Sequence, residues 1–443
     1  MKRRLFLAFG SLGLTYVNGL LAAEPGARAP DLARPETAHS PRLLFPDDSQ
    51  FWFETQRVFG AAEYGGALFG EVLSTASRIT PGDYDSWYVE WNTVADRVSK
   101  EAAAQLARGH KVSARDSYLR ASTYYRTSEF FLHGPSGDDP RIMRAYRLSV
   151  DSYKQAARLY ELPIEPVEIP YEHTTLPGYF HRTAAPGLRP TLILHSGFDG
   201  SAEEMHMDGA RAAVERGYNV LTFDGPGQYG PIHREGLVFR PDWDKVVTPV
   251  VDFTLKLPGV DPKRIALMGE SLGGLLAPRA AAFEKRLAAL IANDGLYDFA
   301  GPTRARVPAQ KWPDFEKQLR AQQAPEIDAI LAATAEKSPE ARWAYAQGMW
   351  SLGAKTPREF VAKSLDYNLR GGIAEKISCP TLICDAESDI FFKGQPQMLY
   401  EHLTCPKTLI RFTATEGAGA HCEEGASRLA YARMFDWLDE TLG

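Results

Sequence analysis

Met268-Gly269-Glu270-Ser271-Leu272-Gly273-Gly274 follows the apolar run Ile265-Ala266-Leu267 and precedes Leu275-Leu276-Ala277. An apolar run, a serine between glycines and a helix-compatible run read as a strand, a sharp turn and a helix start, the G-x-S-x-G nucleophile elbow. A serine hydroxyl is a weak nucleophile until geometry exposes it and a base activates it. Gly269 and Gly273 permit the tight turn, because a side chain at either position would crowd the strained backbone beside Ser271. The same turn aims the Leu272 N–H at the place where an oxyanion would form. The alternative is an inert serine in a glycine-rich turn, and the surrounding sequence has to decide between the two.

Beyond Pro163, short β-rich runs alternate with longer helical stretches. The runs are 167–172, 178–182, 191–195, 219–223, 264–268, 289–293, 381–385 and 408–413. Eight strands, mostly separated by helix-length segments, predict an α/β fold with a mainly parallel eight-stranded sheet and helices on both faces. Residues 299–372 interrupt the alternation with helical patterns only, such as 314–323, 326–336 and 339–349. They are expected to form a helical cap insertion between the two parts of the core, 166–298 and 373–443. Residues 46–165 are expected to form an N-terminal helical domain, with Val94, Val98, Ala102 and Leu106 at helical spacing. Aromatic residues are dense there. Most are expected in the core, while Trp87, Tyr88 and Tyr124 are candidates to line a pocket for a flat or apolar ligand.

The chain has 443 residues, 44% apolar and 24% charged, which suits a soluble globular protein of more than one structural unit. A net charge of −6 argues against nucleic acid or an anionic membrane as a main partner. Lys2-Arg3-Arg4 precedes an uncharged, largely apolar stretch that ends in Ala22-Ala23. Residues 1–23 read as a cleavable signal peptide, and Arg3-Arg4-Leu5-Phe6-Leu7 resembles the twin-arginine type. An exported, periplasmic protein with no stable membrane insertion after cleavage is expected. Residues 24–45, rich in Pro, Ala and Arg, read as a linker or arm. In an oxidising compartment Cys379 and Cys405 would bridge if the strands they introduce are neighbours; buried free thiols are the alternative. No spacing suggests a metal, and no cofactor motif is present.

An activated serine on this architecture is followed in sequence by an acid and then a histidine. His421, in Gly417-Ala418-Gly419-Ala420-His421, follows the last expected strand and is the candidate base. The acid is expected after the strand 381–385. Asp389 is preferred, in the turn Ala386-Glu387-Ser388-Asp389, with Glu387 as its rival. A second oxyanion donor is expected from the turn His195-Ser196-Gly197-Phe198-Asp199-Gly200, with the Phe198 N–H partnering that of Leu272. His195 is expected to shape that turn by a local hydrogen bond. Asp224-Gly225-Pro226-Gly227-Gln228 reads as a structural turn beneath the site, since no phosphate-binding glycine pattern accompanies it.

Taken together, these residues resemble the α/β-hydrolase superfamily across residues 165–443. Gly82-Asp83-Tyr84-Asp85-Ser86-Trp87-Tyr88-Val89-Glu90-Trp91, Arg120-Ala121-Ser122-Thr123-Tyr124-Tyr125-Arg126, Asp224-Gly225-Pro226-Gly227-Gln228 and Phe391-Phe392-Lys393-Gly394-Gln395 extend the resemblance. They are similar to the branch containing dihydroxypseudooxynicotine hydrolase, the fungal polyketide-shortening hydrolases and FrsA-like esterases. The resemblance implies a Ser271–Asp389–His421 triad, a helical cover over the site and a homodimer. Two features depart from the pattern: Ser196-Gly197 stands where the branch often has Gly-Gly, and the export signal is unusual for enzymes of intracellular metabolites. The expected reaction passes through an acyl-enzyme on a small-molecule ester or lactone of aromatic or polyketide-like character. Carbon–carbon hydrolysis of a β-diketone and acyl transfer to an alcohol are the enzymatic alternatives, and a binding protein on an inactive scaffold is the remaining one.

Overall fold

Strands covered on both faces must be apolar almost throughout, and this requirement marks the centre of the sheet. In the computed structural model, which describes residues 42–134, 137 and 139–443, every residue of Asn219–Phe223 and Ala289–Asn293 is buried. The expected signal peptide (1–23) and nearly all of the expected arm (24–45) lie outside the described residues. The strands are β1 (Glu165–Tyr171), β2 (Thr174–His181), β3 (Arg189–His195), β4 (Asn219–Phe223), β5 (Val260–Glu270), β6 (Ala289–Asn293), β7 (Thr381–Ala386) and β8 (Lys407–Phe412). They form one eight-stranded sheet in the order β1-β2-β4-β3-β5-β6-β7-β8. β1 and β2 pair antiparallel, β2 meets β4 antiparallel, and every later pairing is parallel. All eight strands expected from the sequence are present.

β5 lies between β3 and β6, so its carboxyl end opens near the middle of the sheet, where ligands bind in folds of this type. Ser271 follows β5 directly. The turns after β3, β6, β7 and β8 reach the same edge and supply the rest of the site.

Among the described residues, five α-helices precede the sheet: Ser49–Ala61, Phe69–Ala76, Tyr84–Ala107, Lys111–Glu129 and Pro140–Arg158. Side-chain acceptors fix three of their starts. Asp48 accepts from Phe51 N, Asp83 from Asp85 N and Ser86 N, and Asp139 from Arg141 N. Between β6 and β7, five further helices run over Gly301–Arg306, Trp312–Leu319, Pro325–Lys337, Pro339–Ser351 and Pro357–Ser364. Each carries proline in its first turn, where a missing N–H breaks no helical bond. The base of this insertion is pinned by Asp298, which bridges to Asn368 and whose buried carboxylate lies 3.1 Å from Arg304 and 2.6 Å from Arg370.

The four cysteines are free thiols, so the bridge between Cys379 and Cys405 is not formed. Burial pushes the Cys379 thiol up to about 11. Among the described residues, no helix is long and apolar enough to cross a membrane.

Candidate active site

Ser271 sits at φ +58°, a left-handed conformation that holds its hydroxyl clear of the turn. Glycine is required on both sides of it. A Cβ on Gly269 would fall 2.2 Å from the Gly273 carbonyl oxygen, and one on Gly273 would fall 2.8 Å from that of Ser196. The elbow is therefore locked to itself and to the turn after β3.

The Ser271 Oγ lies 2.8 Å from His421 Nε2. His421 follows β8 and is buried, and its neighbours Cys422 and Glu423 both adopt positive φ, which turns the loop back toward the elbow. Behind the ring, two carboxylates face Nδ1: Asp294 Oδ2 at 2.8 Å and Asp389 Oδ2 at 3.2 Å. The single N–H of the ring aligns squarely with neither. Burial opposes a charged imidazole, but the Cys422 sulfur, Asp389 and Asp294 outweigh it and hold His421 well above its ordinary range. Asp294 is fully buried, which raises its own carboxyl, while His421 and the Cys422 N–H offset part of that rise.

Asp389 is thus brought to the histidine as expected, whereas Glu387 is not. Its carboxylate accepts from Ala414 N and faces Arg411 at 3.5 Å. Asp294 lies outside the sequence expectation, which places the acid after β7. The available signal is Asn293-Asp294-Gly295, a turn sequence that begins at the last residue of β6.

The turn after β3 presses on the elbow from the opposite side. A Cβ on Gly197 would fall 2.7 Å from Leu272 N, so only glycine allows this approach. Two glutamines hold the outer carbonyls of the turn. Gln228 Nε2 donates to Ser196 O at 2.5 Å, and Gln347 Nε2 donates to Phe198 O at 3.0 Å. Gln228 also accepts from Gly225 N, so the 224–228 turn acts as a clamp on the turn above it. His195 contributes as expected. Burial lowers it to about 4, and its neutral ring donates from Nδ1 to Ser196 O. Among the described residues, neither Phe198 N nor Leu272 N donates to a protein acceptor, so both remain available to a ligand oxygen.

A cavity opens over Ser271, with Phe53, Phe198, Phe299, Trp343, Phe391 and Phe392 on its walls. The helix Ser49–Ala61, the turn after β3, the insertion and the loop after β7 all contribute. Trp87, Tyr88 and Tyr124 do not line it, which corrects the expectation drawn from their density. Trp87 is fully buried and donates from Nε1 to Thr127 O, and Tyr124 joins Leu68 N to Glu71. Tyr88 packs under the Arg141 guanidinium, 5.0 Å away. Trp87 and Tyr124 are buried within the helical layer, where large aromatic surfaces stabilise packing, while Tyr88 is half-buried at its margin. Phe53, which does reach the cavity, looked in sequence like one more core aromatic.

A buried charge cluster, of which Arg57 and Asp199 also line the cavity, fastens the helical layer to the core. Arg57 lies 2.7 Å from Asp199 and 2.9 Å from Glu204, and Arg126 lies 3.2 Å from Glu204.

A profile described as "Alpha/beta hydrolase family" matches residues 191–430, and one described as "Esterase FrsA-like" matches residues 80–296. The hydrolase LUC6 of a Fusarium species is 35% identical over 417 residues, covering 90% of this chain and 98% of that protein. The 20-hydroxy-prefusarin hydrolase of Gibberella moniliformis is also 35% identical, over 88% of this chain and 96% of its own. Among solved structures, 2,6-dihydroxy-pseudo-oxynicotine hydrolase superposes with a TM-score of 0.67 at 23% identity, over 86% of this chain and 95% of that one.

Proposed function

The chain belongs to the α/β-hydrolase family, and from that premise we propose that it is a serine hydrolase acting through an acyl-enzyme on an ester or lactone of an aromatic or polyketide-like compound. The observation that carries this reading is the 2.8 Å contact between Ser271 Oγ and His421 Nε2 beneath an aromatic-walled cavity. Neutral His421 takes the Ser271 proton as Oγ attacks the carbonyl carbon. The negative charge that develops on the carbonyl oxygen falls to the Phe198 and Leu272 N–H groups. The imidazolium then returns its proton to the departing alkoxide, leaving the acyl group on Ser271. Water, deprotonated by the same ring, releases the acid and restores the hydroxyl. The Asp294–Asp389 pair fixes the ring and stabilises its charged form in both halves.

The relative named for 20-hydroxy-prefusarin supports a small-molecule substrate. Export through the N-terminal signal and assembly as a homodimer belong to the same proposal, to be tested by cell fractionation and by light scattering. The decisive experiment treats separate samples of folded protein with a fluorophosphonate and with a panel of aryl esters, lactones and β-diketones, and follows the mass of the peptide bearing Ser271. An ester- or lactone-derived acyl adduct is expected. Turnover of β-diketones alone would move the reaction to carbon–carbon hydrolysis, and a fluorophosphonate that leaves Ser271 unlabelled would sink the acyl-enzyme.

A further inference from the structure

On the far side of the Phe198 turn, three buried side chains from distant parts of the chain converge. Glu129 ends the helix Lys111–Glu129, His133 follows four residues later, and His233 lies on the helix Tyr229–Glu235 after β4. Their side chains are 2%, 7% and 1% exposed. His133 Nε2 lies 2.5 Å from Glu129 Oε2, and His233 Nε2 lies 4.0 Å from Glu129 Oε1. One ligand atom from each residue falls within 4.8 Å of the other two.

The outer nitrogens settle where the protons are. His133 Nδ1 is 2.7 Å from Gln347 Oε1, and the orientation of that amide is fixed because its Nε2 donates to Phe198 O. His233 Nδ1 is 2.6 Å from the Tyr229 carbonyl oxygen. Both acceptors require Nδ1 to carry the proton, so in each neutral ring Nε2 is a bare lone pair. With both rings neutral, two lone pairs and a carboxylate face one another, and His133 Nε2, His233 Nε2 and Glu129 Oε2 have no hydrogen-bond partner of good geometry. Trp350 stacks on His133 at 3.9 Å and Tyr146 lies parallel to His233 at 4.5 Å, which holds both rings in this orientation. Among the described residues, these two imidazoles are the only basic side chains within 4.0 Å of the Glu129 carboxylate. Buried acceptors facing only one another are unfavourable without a cation between them.

We propose that Glu129, His133 and His233 form a binding site for a divalent first-row transition metal, with zinc the best match to two imidazoles and one carboxylate. The Nδ1 hydrogen bonds to Gln347 and Tyr229 are the outer contacts that orient metal-bound histidines. The site ties the N-terminal helices, the core and the insertion together at one point. Through Gln347 it also braces the Phe198 carbonyl, so its occupancy supports the oxyanion turn without touching substrate.

The test uses full-length protein stripped with a chelator and titrated with Zn²⁺ or with Co²⁺, whose visible spectrum reports nitrogen ligation. About one equivalent is expected to bind and to raise the melting temperature. Ser271→Ala and His421→Ala should bind equally well, which separates this site from the proposed catalytic one. The double variant His133→Ala/His233→Ala should lose the cobalt spectrum, and Gln347→Leu should weaken binding by about tenfold or more. Wild-type protein that gives no cobalt spectrum would overturn the proposal, leaving a proton-bridged His133–Glu129 pair in its place. Should the double variant fail to fold, the wild-type titration and Gln347→Leu still decide. A spectrum that persists in the folded double variant would equally end it.

Discussion

At the residue scale, the chemistry concentrates on the surroundings of one imidazole. In the proposed mechanism His421 accepts the Ser271 proton in its neutral form, yet Asp294 and Asp389 hold it above its ordinary range by favouring the charged form. Activity should therefore rise with pH through that raised value. Removing either negative charge lowers the imidazole pKa, so the acidic limb of kcat/KM in Asp294→Asn or Asp389→Asn should move to lower pH. Asp294 is the nearer of the two, at 2.8 Å against 3.2 Å. Asp294→Asn should accordingly be the more damaging, at about 10³–10⁴-fold in kcat by analogy with other triads. Glu387→Gln should be close to silent. A larger loss from Asp389→Asn than from Asp294→Asn would reverse the assignment. Ser271→Ala should fold normally and retain less than about a thousandth of wild-type turnover.

At the element scale, the turns at the carboxyl ends of the strands are shaped by their neighbours. The turn after β3 owes its position to Gln228, a residue of the turn after β4, and to Gln347 in the insertion. Gln228→Leu frees the Ser196 carbonyl, and steady-state kinetics should show kcat falling by up to about 10²-fold with KM little changed, because misplaced oxyanion donors mainly penalise the transition state. At the foot of the insertion, Asp298 holds Arg304 and Arg370. Asp298→Ala should destabilise this junction by about 1–3 kcal/mol, the range for losing charged hydrogen bonds that are partly buried. Limited proteolysis, with faster cleavage between residues 299 and 372, checks that outcome. The elements themselves were legible in sequence: glycine, proline and apolar runs punctuate all eight strands and most of the helices. The sharing of hydrogen bonds between turns was not, because Gln228 and Gln347 have no local pattern that distinguishes them from ordinary buried amides.

At the scale of the whole molecule, three layers meet over one sheet edge. The helical layer contributes Phe53 to the cavity and is fastened through Arg57 and Arg126 to Asp199 and Glu204 of the core. Arg57→Ala leaves several carboxylates buried around an empty position. It should lower global stability by about 3–5 kcal/mol, read from denaturant unfolding. The same cluster lies directly beyond Phe198, so the variant should lose turnover well before it unfolds.

Local sequence determined the elbow at Ser271 and the alternation that builds the sheet, because turn chemistry and apolar periodicity act over a few residues. The tertiary structure alone decided that Asp294 joins Asp389 behind His421, that Phe53 rather than Trp87, Tyr88 or Tyr124 meets the cavity, and that Glu129, His133 and His233 share one pocket. Each of these depends on which distant segments the sheet order brings within a few ångströms, and a side chain carries no record of its distant neighbours in its own local pattern.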